Sequence, residues 1–429
     1  MNAFCTMLAL LLATLGSAAA QTPLTQESAA QEALEEARRV EAEALRRLFD
    51  AHDRVGQLAD PSNPQKARAG SNEKIVNGLL TSRFPTTGAF LHINADGSFG
   101  SHCTGTLVGC STFLTARHCV ASTVTDGAPA EPSEYKNYRV FLQHAGIFEV
   151  DSIATRDDYA FPLADVAVIR LKSAVNGVTP TPLYTGGPIP NGTEGTIAGF
   201  GRSGGLLSDY GLKRTGFVRT AECADKDKNL VCWDYEPGSA APGEASNTCN
   251  ADSGGPLFIE DLTSNPPRRV LAGVTSGGTQ SSCLTSDHSY DVDVRQYAEW
   301  IDEQVSDPLA PAACGDLKQW GSDGVVVRRV NGSLSAAEKD ARYTIDVPSG
   351  TKRFRVAMNA EDSFGKIDFD LFVRRGSEPT EAQADCKQVS PSQYAFCDFP
   401  NPAVGTWHIW VKQRAGSGLY QVTASTFGS

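Results

Sequence analysis

The sequence predicts an all-β fold in two successive parts, preceded by a helical segment. In residues 75–305, many short β-type runs are separated by Gly, Pro and Asn, which is typical of a barrel or sandwich. In residues 316–429, apolar residues alternate with polar or small ones, as in residues 367–373. This period of two indicates an antiparallel β-sandwich with one solvent-facing side. Residues 306–315, rich in Pro and Ala, are predicted to link the two parts.

Composition excludes several functional classes. Charged residues make up 21% and hydrophobic residues 41% of the 429 residues, as in packed globular proteins. The 38 Lys and Arg against 50 Asp and Glu give a net charge of −12, which argues against nucleic acid as a partner. Beyond residue 20 the sequence contains no apolar run of about 20 residues, so a membrane-spanning enzyme is not expected.

The first 20 residues are predicted to be a secretory signal peptide. An apolar stretch at residues 4–15 precedes Ala18-Ala19-Ala20, an A-x-A cleavage pattern. An uncleaved anchor is the alternative, because no Lys or Arg precedes the apolar stretch. Without Cys5, ten of the 11 cysteines remain, an even number as disulfides require. We therefore expect a secreted protein, extracellular or periplasmic, with no membrane association after signal cleavage.

Residues 21–74 are predicted to form a pro-segment. Residues 27–56 lack Pro and internal Gly, place apolar residues at helical spacing and contain two Glu–Arg pairs four residues apart, which predicts an amphipathic helix. Residues 57–74 have the composition of a linker. A second helix, over residues 294–305, is predicted to close the first β part.

Three segments of the first β part carry residues suited to nucleophilic catalysis. The first is Cys103-Thr-Gly-Thr-Leu107 followed by Leu114-Thr-Ala-Arg-His-Cys119. The other two are Ala164-Asp-Val-Ala-Val-Ile-Arg-Leu171 and Cys249-Asn-Ala-Asp-Ser-Gly-Gly-Pro-Leu257. A serine hydroxyl needs an adjacent base, and the base needs a group that fixes its tautomer. Ser253, His118 and Asp165 are the candidates. Alone, the histidine is as well explained as structural and the aspartate as a turn residue, but Asp-Ser-Gly-Gly-Pro is specific.

With these motifs, residues 75–305 resemble a trypsin/chymotrypsin-type serine endopeptidase. The resemblance implies two β-barrels with the active site between them. It also implies that Ser253 attacks the substrate carbonyl, His118 transfers the proton and Asp165 orients His118. The backbone amides of Ala251 and Ser253 are expected to bind the oxyanion. The family usually has Gly where this chain has Ala251, whose methyl group restricts a peptide that needs an unusual φ.

The resemblance also implies activation by proteolysis. Ile75-Val-Asn-Gly78 is similar to the mature N-terminus of the family, which is freed by cleavage after a basic residue, here Lys74. The new α-amino group of Ile75 is expected to pair with Asp252 and to order the oxyanion pocket. The protein is therefore expected to be made as a zymogen.

The expected specificity pocket departs from the tryptic pattern. Six residues before Ser253 a trypsin-like enzyme carries Asp, whereas this chain has Asn247, a neutral amide. Ser276-Gly277-Gly278 matches the edge segment that pairs with the substrate backbone. We therefore expect a small or medium neutral side chain at P1, and activation after Lys74 by another protease. Three residues remain candidates for the far wall of the pocket: Ser289, Asp287 and Asp291.

Five disulfides are predicted. They are Cys103–Cys119, Cys249–Cys283, Cys223–Cys232, Cys386–Cys397 and Cys110–Cys314. The first two are implied by the resemblance and the next two by proximity along the chain. The last is inferred by elimination, with two free thiols as its alternative.

Residues 316–429 resemble the bacterial pre-peptidase C-terminal domain. The resemblance is carried by Asp370-Leu-Phe-Val-Arg374, Cys386, Cys397, Asn401-Pro-Ala-Val-Gly405-Thr-Trp and Val411. It implies a β-sandwich that accompanies secreted peptidases and is often removed during maturation. Asp362, Asp368 and Asp370 are candidate Ca²⁺ ligands, although solvated strand acids are the favoured interpretation. No other cofactor or metal is expected.

The sequence thus predicts a secreted serine endopeptidase acting on proteins or peptides, with an activating protease as a further partner. A catalytically inactive homologue that binds a surface or partner is the alternative; the intact triad argues against it and Ala251 argues slightly for it. A third hypothesis is a secreted adhesin or carbohydrate binder whose active module is the C-terminal sandwich.

Overall fold

The computed structural model describes residues 55–59, 75–205, 207–224, 229–238, 243–305, 307–361, 367–389 and 391–428. The chain divides into two units, Met1–Asp53 and Arg54–Ser429, and everything described belongs to the second. The predictions for the signal peptide, for the helix before residue 55, for Lys74 and for Asp362 lie outside the described residues. Within these ranges no helix is both long enough and apolar enough to cross a membrane.

The first barrel consists of six antiparallel strands. Strands are numbered along the chain, and two short ones precede this barrel, β1 (Val55–Gln57) and β2 (Leu79–Leu80). The barrel strands are β3 (Thr87–Ile93), β4 (Phe99–Leu107), β5 (Thr112–Thr115), β6 (Tyr138–Leu142), β7 (Gly146–Thr155) and β8 (Ala167–Leu171). They close in the order β3-β4-β5-β8-β7-β6 around buried Phe90, Phe113 and Ile169. A short helix, α1 (Pro132–Tyr135), lies between β5 and β6.

The second barrel follows. Its strands are β9 (Glu194–Gly199), β10 (Arg214–Ala221), β11 (Leu230–Tyr235), β12 (Pro256–Asp261), β13 (Arg268–Gly278) and β14 (Asp287–Asp293). The sheet order is β11-β14-β13-β12-β9-β10, β10 also pairs with β11, and β2 adds to β10. Buried Ile197, Trp233 and Leu257 form its core. A 3₁₀ turn (Val294–Tyr297) and helix α2 (Ala298–Glu303) then end this part, within the span predicted to be helical.

The C-terminal part consists of two sheets. Its strands are β15 (Val325–Leu334), β16 (Asp340–Val347), β17 (Thr351–Ala360), β18 (Asp368–Arg375), β19 (Cys386–Gln388), β20 (Tyr394–Pro400), β21 (Gly405–Ala415) and β22 (Gly418–Gly428). One sheet has the order β1-β15-β22-β17-β20 and the other β16-β21-β18-β19. Inward-facing Phe354, Leu371 and Val422 lie in their shared core. The predicted all-β fold, two barrels and a β-sandwich, is confirmed.

Strand β1 corrects the prediction for the pro-segment. Val55 pairs in parallel with Val327, so the predicted helix is wrong at residues 55 and 56. Leu58 is 1% exposed in the core of the sandwich, and Ala59 pairs with Thr344 in the other sheet. The edge of β15 offers unpaired backbone groups, and pairing there buries an apolar side chain, which outweighs local helix propensity.

The described part of the predicted linker (306–315), residues 307–315, is packed on the first barrel. The carboxylate of Asp307 accepts hydrogen bonds from the Ser111 amide at 2.9 Å and from Thr112 Oγ1 at 2.8 Å. The amide of Ala310 donates to the Val108 carbonyl at 2.7 Å. The backbone and side chains of this segment are thus held in place and do not form a free tether.

All five predicted cysteine pairs are bonded in the structure. Their Cα–Cα distances lie between 5.2 and 6.1 Å, as disulfides require. The Cys110–Cys314 bond joins the first barrel to the segment just before the sandwich. The alternative of two free thiols at these positions is therefore wrong.

Buried polar side chains form the contact between the barrels and the sandwich, which we call the sandwich interface. Gln143 Nε2 donates to Asn359 Oδ1 at 3.0 Å and to Gln421 Oε1 at 3.2 Å. Asn359 Nδ2 donates to the Gly211 carbonyl at 2.7 Å. Gln421 Oε1 also accepts from the Lys213 amide at 2.9 Å. The sandwich is therefore bonded to both barrels through groups that water does not reach.

Candidate active site

The three residues singled out by the motifs come from different parts of the two barrels. His118 lies in a 3₁₀ turn (Arg117–Cys119) that follows β5, and the Cys103–Cys119 disulfide ties this turn to β4. Asp165 lies two residues before β8, and Ser253 lies three residues before β12. His118 and Ser253 line one cleft, and Asp165 is fully buried.

Asp165 accepts three hydrogen bonds. Its Oδ2 lies 2.7 Å from His118 Nδ1, and its Oδ1 accepts from the His118 backbone amide at 2.8 Å. Ser276 Oγ donates to Oδ2 at 2.6 Å. Because Nδ1 donates its proton to this carboxylate, the lone pair of the neutral imidazole is on Nε2. This arrangement fixes both the tautomer and the orientation of the ring.

The imidazole of His118 is flanked by an aromatic ring. The ring centroids of His118 and Phe161 lie 5.8 Å apart at 79°, an edge-on contact. Half of the Phe161 side chain stays exposed, at 52%. This contact limits rotation of the imidazole away from Asp165.

The loop that carries Ser253 is held between the barrels. Thr104 on β4 donates its amide to the Ser253 carbonyl at 2.9 Å, and the Gly254 amide donates to the Thr275 carbonyl at 2.7 Å. Gly254 has φ 81°, and a Cβ there would collide with Thr115 Oγ1 and with the Thr104 carbonyl. Glycine is therefore required directly after the serine.

Ala251 adopts the left-handed conformation that the sequence prediction associated with glycine. Its φ is 70°, and its carbonyl accepts a hydrogen bond from Thr104 Oγ1 at 2.8 Å. For an L-residue with Cβ this conformation costs about 1–2 kcal/mol. Within the described part of the chain, the amides of Ala251 and Ser253 donate to no protein acceptor. Both amides are thus available to a ligand in the cleft.

Asp252 is fully buried beside the serine. Its carboxylate accepts from the Cys249 amide at 2.9 Å and from the Gly201 amide at 2.8 Å. Burial raises its pKa to about 7, although these two bonds and the charge of Arg214 oppose the shift. Ile75 is also fully buried, in the core of the second barrel. The predicted pair between the Ile75 α-amino group and Asp252 requires a cleaved chain and stays a prediction.

The pocket next to the serine contains a carboxylate that motif-based reasoning could not locate. Asn247 is buried, and its Nδ2 donates to Asp287 Oδ2 at 2.9 Å. Ser289 Oγ donates to Asn247 Oδ1 at 2.5 Å and lies 3.1 Å from Asp287 Oδ2. Asp287 lines the cleft together with Gly277 and Gly278. The expectation of a neutral pocket rested on Asn247 alone and did not take the Asp287 carboxylate into account.

The third candidate for the far wall, Asp291, lies elsewhere. It is fully buried opposite Thr275 in the β13–β14 pair and is not among the residues that line the cleft. Burial raises its pKa well above the usual range for an aspartate, and only the Thr275 side chain opposes the shift. Burial thus favours the neutral form of this carboxyl group, which lies outside the cleft.

Two residues have supporting roles that the sequence did not assign to them. Ser276 was expected to pair with the substrate backbone, and its side-chain hydroxyl donates to Asp165. Thr104, in the segment Cys103-Thr-Gly-Thr-Leu107, positions both the Ser253 and the Ala251 carbonyl groups. Both side-chain roles follow from the positions of β4 and β13 beside the active-site residues, which the sequence alone does not give.

Of the predicted Ca²⁺ ligands in the sandwich, Asp370 has another partner. Asp370 is buried and forms an ion pair with Arg414. Burial raises the pKa of Asp370, and it also raises the pKa of Asp368, with the neighbouring Asp370 charge adding to the second shift. This pairing is consistent with strand acids in a structural role.

Comparison with known proteins places the two parts in separate families. The trypsin family model matches residues 83–301, half of the chain, and the bacterial pre-peptidase C-terminal domain matches residues 341–413. The chain is 26% identical to melanization protease 1 of Drosophila melanogaster, over 56% of this chain and 68% of that protein. It is 26% identical to complement C1s subcomponent of Sus scrofa, over 59% of this chain but only 38% of that protein. An uncharacterized peptidase of Corynebacterium glutamicum (strain R) is also 26% identical, over 49% of this chain and 66% of that protein.

Proposed function

Because the chain belongs to the trypsin family of serine peptidases, we propose that it hydrolyses peptide bonds through His118, Asp165 and Ser253. Its substrates are proteins or peptides. The observation that carries the proposal is the buried Asp165 carboxylate, bonded to His118 Nδ1 at 2.7 Å in the cleft that Ser253 lines. A fully buried carboxylate is costly unless its neighbours bond it, and the bond from His118 Nδ1 is the one that orients a catalytic base.

The proposed reaction proceeds through an acyl-enzyme. Ser253 Oγ attacks the scissile carbonyl carbon while His118 Nε2 takes the hydroxyl proton, and Asp165 stabilises the imidazolium that forms. His118 then gives the proton to the leaving amine, the C–N bond breaks and the acyl group stays on Oγ. A water molecule, deprotonated by His118, hydrolyses the ester and restores the hydroxyl of Ser253.

The negative oxygen of the tetrahedral intermediate is proposed to bind the amides of Ala251 and Ser253. Their lack of protein acceptors among the described residues and the positive φ of Ala251 support this role. One such donor is worth about 10²–10³ in turnover. Thr104, which bonds the carbonyl groups of both residues, holds the two amides in place.

We propose that the enzyme is secreted and made as a zymogen that is cleaved after Lys74. The five disulfides support an oxidising compartment. The buried Asp252, with its pKa raised to about 7, would regain its charge when a free α-amino group reaches it. N-terminal sequencing of active protein tests this step, and an active form that still carries residues 60–74 would exclude it.

Hydrolysis of a denatured protein tests the catalytic proposal. Chain cleaved after Lys74 should degrade denatured casein, and the same chain with Ser253→Ala should not. The competing candidate is a catalytically inactive binding protein, which the alanine at the strained position 251 favours. That candidate would be supported if the cleaved wild-type chain did not hydrolyse casein and the Ala251→Gly variant did.

A further inference from the structure

The pocket beside Ser253 contains one carboxylate whose charge no basic residue neutralises. Asp287 is 6% exposed and lines the cleft. Among the described residues it forms no ion pair, and the described residues that line the cleft include no lysine or arginine. An unpaired charge at a nearly buried site is costly, so the site favours a cation from outside.

Neutral donors hold the Asp287 carboxylate in a fixed position. Oδ1 accepts from the Thr279 amide at 2.7 Å, from Thr279 Oγ1 at 2.9 Å and from the Gln280 amide at 2.9 Å. Oδ2 accepts from Asn247 Nδ2 at 2.9 Å, and the Ser289 hydroxyl, which donates to Asn247 Oδ1 at 2.5 Å, lies 3.1 Å from Oδ2. These neutral groups orient the carboxylate without cancelling its charge. The amide of Asn247 therefore serves as a support for Asp287.

The mouth of the pocket is open because two glycines form its edge. A Cβ on Gly278 would lie 2.5 Å from Asp287 Oδ2, and a Cβ on Gly277 would lie 2.9 Å from the Tyr290 hydroxyl. Without these atoms, a side chain that enters between the edge of β13 and the loop around Ala251 has a path to Oδ2. The long side chains of Lys and Arg have the reach and the charge for such a site.

We infer that Asp287 is the specificity-determining residue of the pocket and selects Lys or Arg at P1. The inference rests on the proposed function and replaces the neutral preference expected from Asn247. A trypsin-like enzyme has its aspartate at the position of Asn247. In this chain the negative charge lies instead on Asp287, at the start of β14. Such a pocket also accepts Lys74, which removes the reason for expecting a separate activating protease.

The test compares matched peptide substrates that differ only at P1, with the protein cleaved after residue 74. We expect kcat/KM for Arg and Lys to exceed that for Leu and Ala by at least about 10²-fold. Asp287→Asn should lower kcat/KM for Arg and Lys by about 10²-fold and leave Leu and Ala within a few-fold. Benzamidine, a cationic amidine, should inhibit the wild type competitively and lose this effect in Asp287→Asn.

Asp96→Asn is the control for charge. Asp96 lines the same cleft, but it lies in the turn before β4 and bonds Ser98. The substitution removes the same charge and should leave the ratio between P1 Arg and P1 Leu unchanged. A similar loss of Arg cleavage in both variants would mean that the overall field of the cleft, and not the pocket, selects the cation.

The outcomes separate this inference from the proposed function. A wild type that cleaves neutral P1 residues as well as Arg would overturn the role of Asp287 and leave the peptidase proposal intact, whether or not Asp287→Asn folds. A wild type that cleaves none of the peptides and fails to react with a fluorophosphonate would overturn the proposed function itself.

Discussion

The active-site cleft and the sandwich interface both contain polar side chains, but the groups have different partners. At the interface, Gln143, Asn359 and Gln421 bond one another across 216 and 278 residues of chain. In the cleft, the amides of Ala251 and Ser253 have no protein acceptor among the described residues. Polar groups that bond each other stabilise one arrangement, whereas oriented groups without partners are available to a substrate.

The comparison predicts that the largest loss of activity follows from a change in the cleft. His118→Ala removes the proposed base, and kcat should fall by about 10⁴–10⁶-fold. The free energy of unfolding should fall by about 1–3 kcal/mol, because the fully buried Asp165 loses the hydrogen bond from His118 Nδ1. Turnover of a P1 Arg peptide and chemical denaturation of the same sample measure both effects. A loss below about tenfold would show that His118 is not the base.

At the interface, the largest effect should appear in the pH dependence of stability. His144 is fully buried, with Nε2 bonded to the Ser82 carbonyl and Nδ1 to Ser425 Oγ. Burial, with the nearby charges of Lys213 and Arg355, lowers its pKa to about 3. The unfolded chain binds a proton below about pH 6.5 and the folded chain does not. Stability should therefore fall by about 3 kcal/mol between pH 7 and pH 4 through this group.

His144→Gln isolates that contribution, because glutamine does not titrate. On a Ser253→Ala background, which prevents self-digestion, the variant should lose less stability than its parent on acidification from pH 7 to pH 4. An equal loss in both proteins would show that His144 does not couple folding to pH.

A smaller effect is expected when one member of the interface network is removed. Gln421 Oε1 accepts from the Lys213 amide and from the side chains of Asn359 and Gln143. Gln421→Leu leaves the buried Lys213 amide without an acceptor and removes one of the bonds made by Asn359 and by Gln143. The free energy of unfolding should therefore fall by about 1–3 kcal/mol. The exposed Gln383→Leu is the control and should change stability by less than about 0.5 kcal/mol. If Gln421→Leu abolished turnover while leaving stability unchanged, the separation between the two regions would be wrong.

The smallest effect concerns the support of the triad. Ser276→Ala removes the hydroxyl that donates to Asp165 Oδ2, a charge-assisted bond, and should lower kcat by about tenfold or slightly more. KM for the P1 Arg peptide should stay within a few-fold, because this hydroxyl faces Asp165 and not the pocket. Ser282→Ala, at a partly exposed serine, serves as the control. A rise in KM with unchanged kcat would assign Ser276 to substrate binding, as the sequence alone suggested.

The contrast between the cleft and the sandwich interface also explains which features could be predicted from the sequence. His118 and Ser253 lie in contiguous segments with specific neighbours, so their chemistry could be predicted before the fold was known. Gln143 and Gln421 lie far apart and carry no local pattern, so only the packed fold reveals their contact. The position of Asp287 depends on the register of β13 and β14, which shifts at a bulge between Thr275 and Gly277. Residues 55 and 56 of strand β1 were predicted as helix, because the partner strand β15 is remote in sequence.

Labelling of Ser253 tests the central claim most directly. Chain cleaved after Lys74 is treated with a fluorophosphonate, which reacts with an activated serine hydroxyl, and the modified residue is located by mass spectrometry of the digested protein. The account predicts a single phosphonylated residue, Ser253, and loss of labelling in His118→Ala. Absence of label from the cleaved chain, or equal labelling of Ser253 in wild type and His118→Ala, would contradict it.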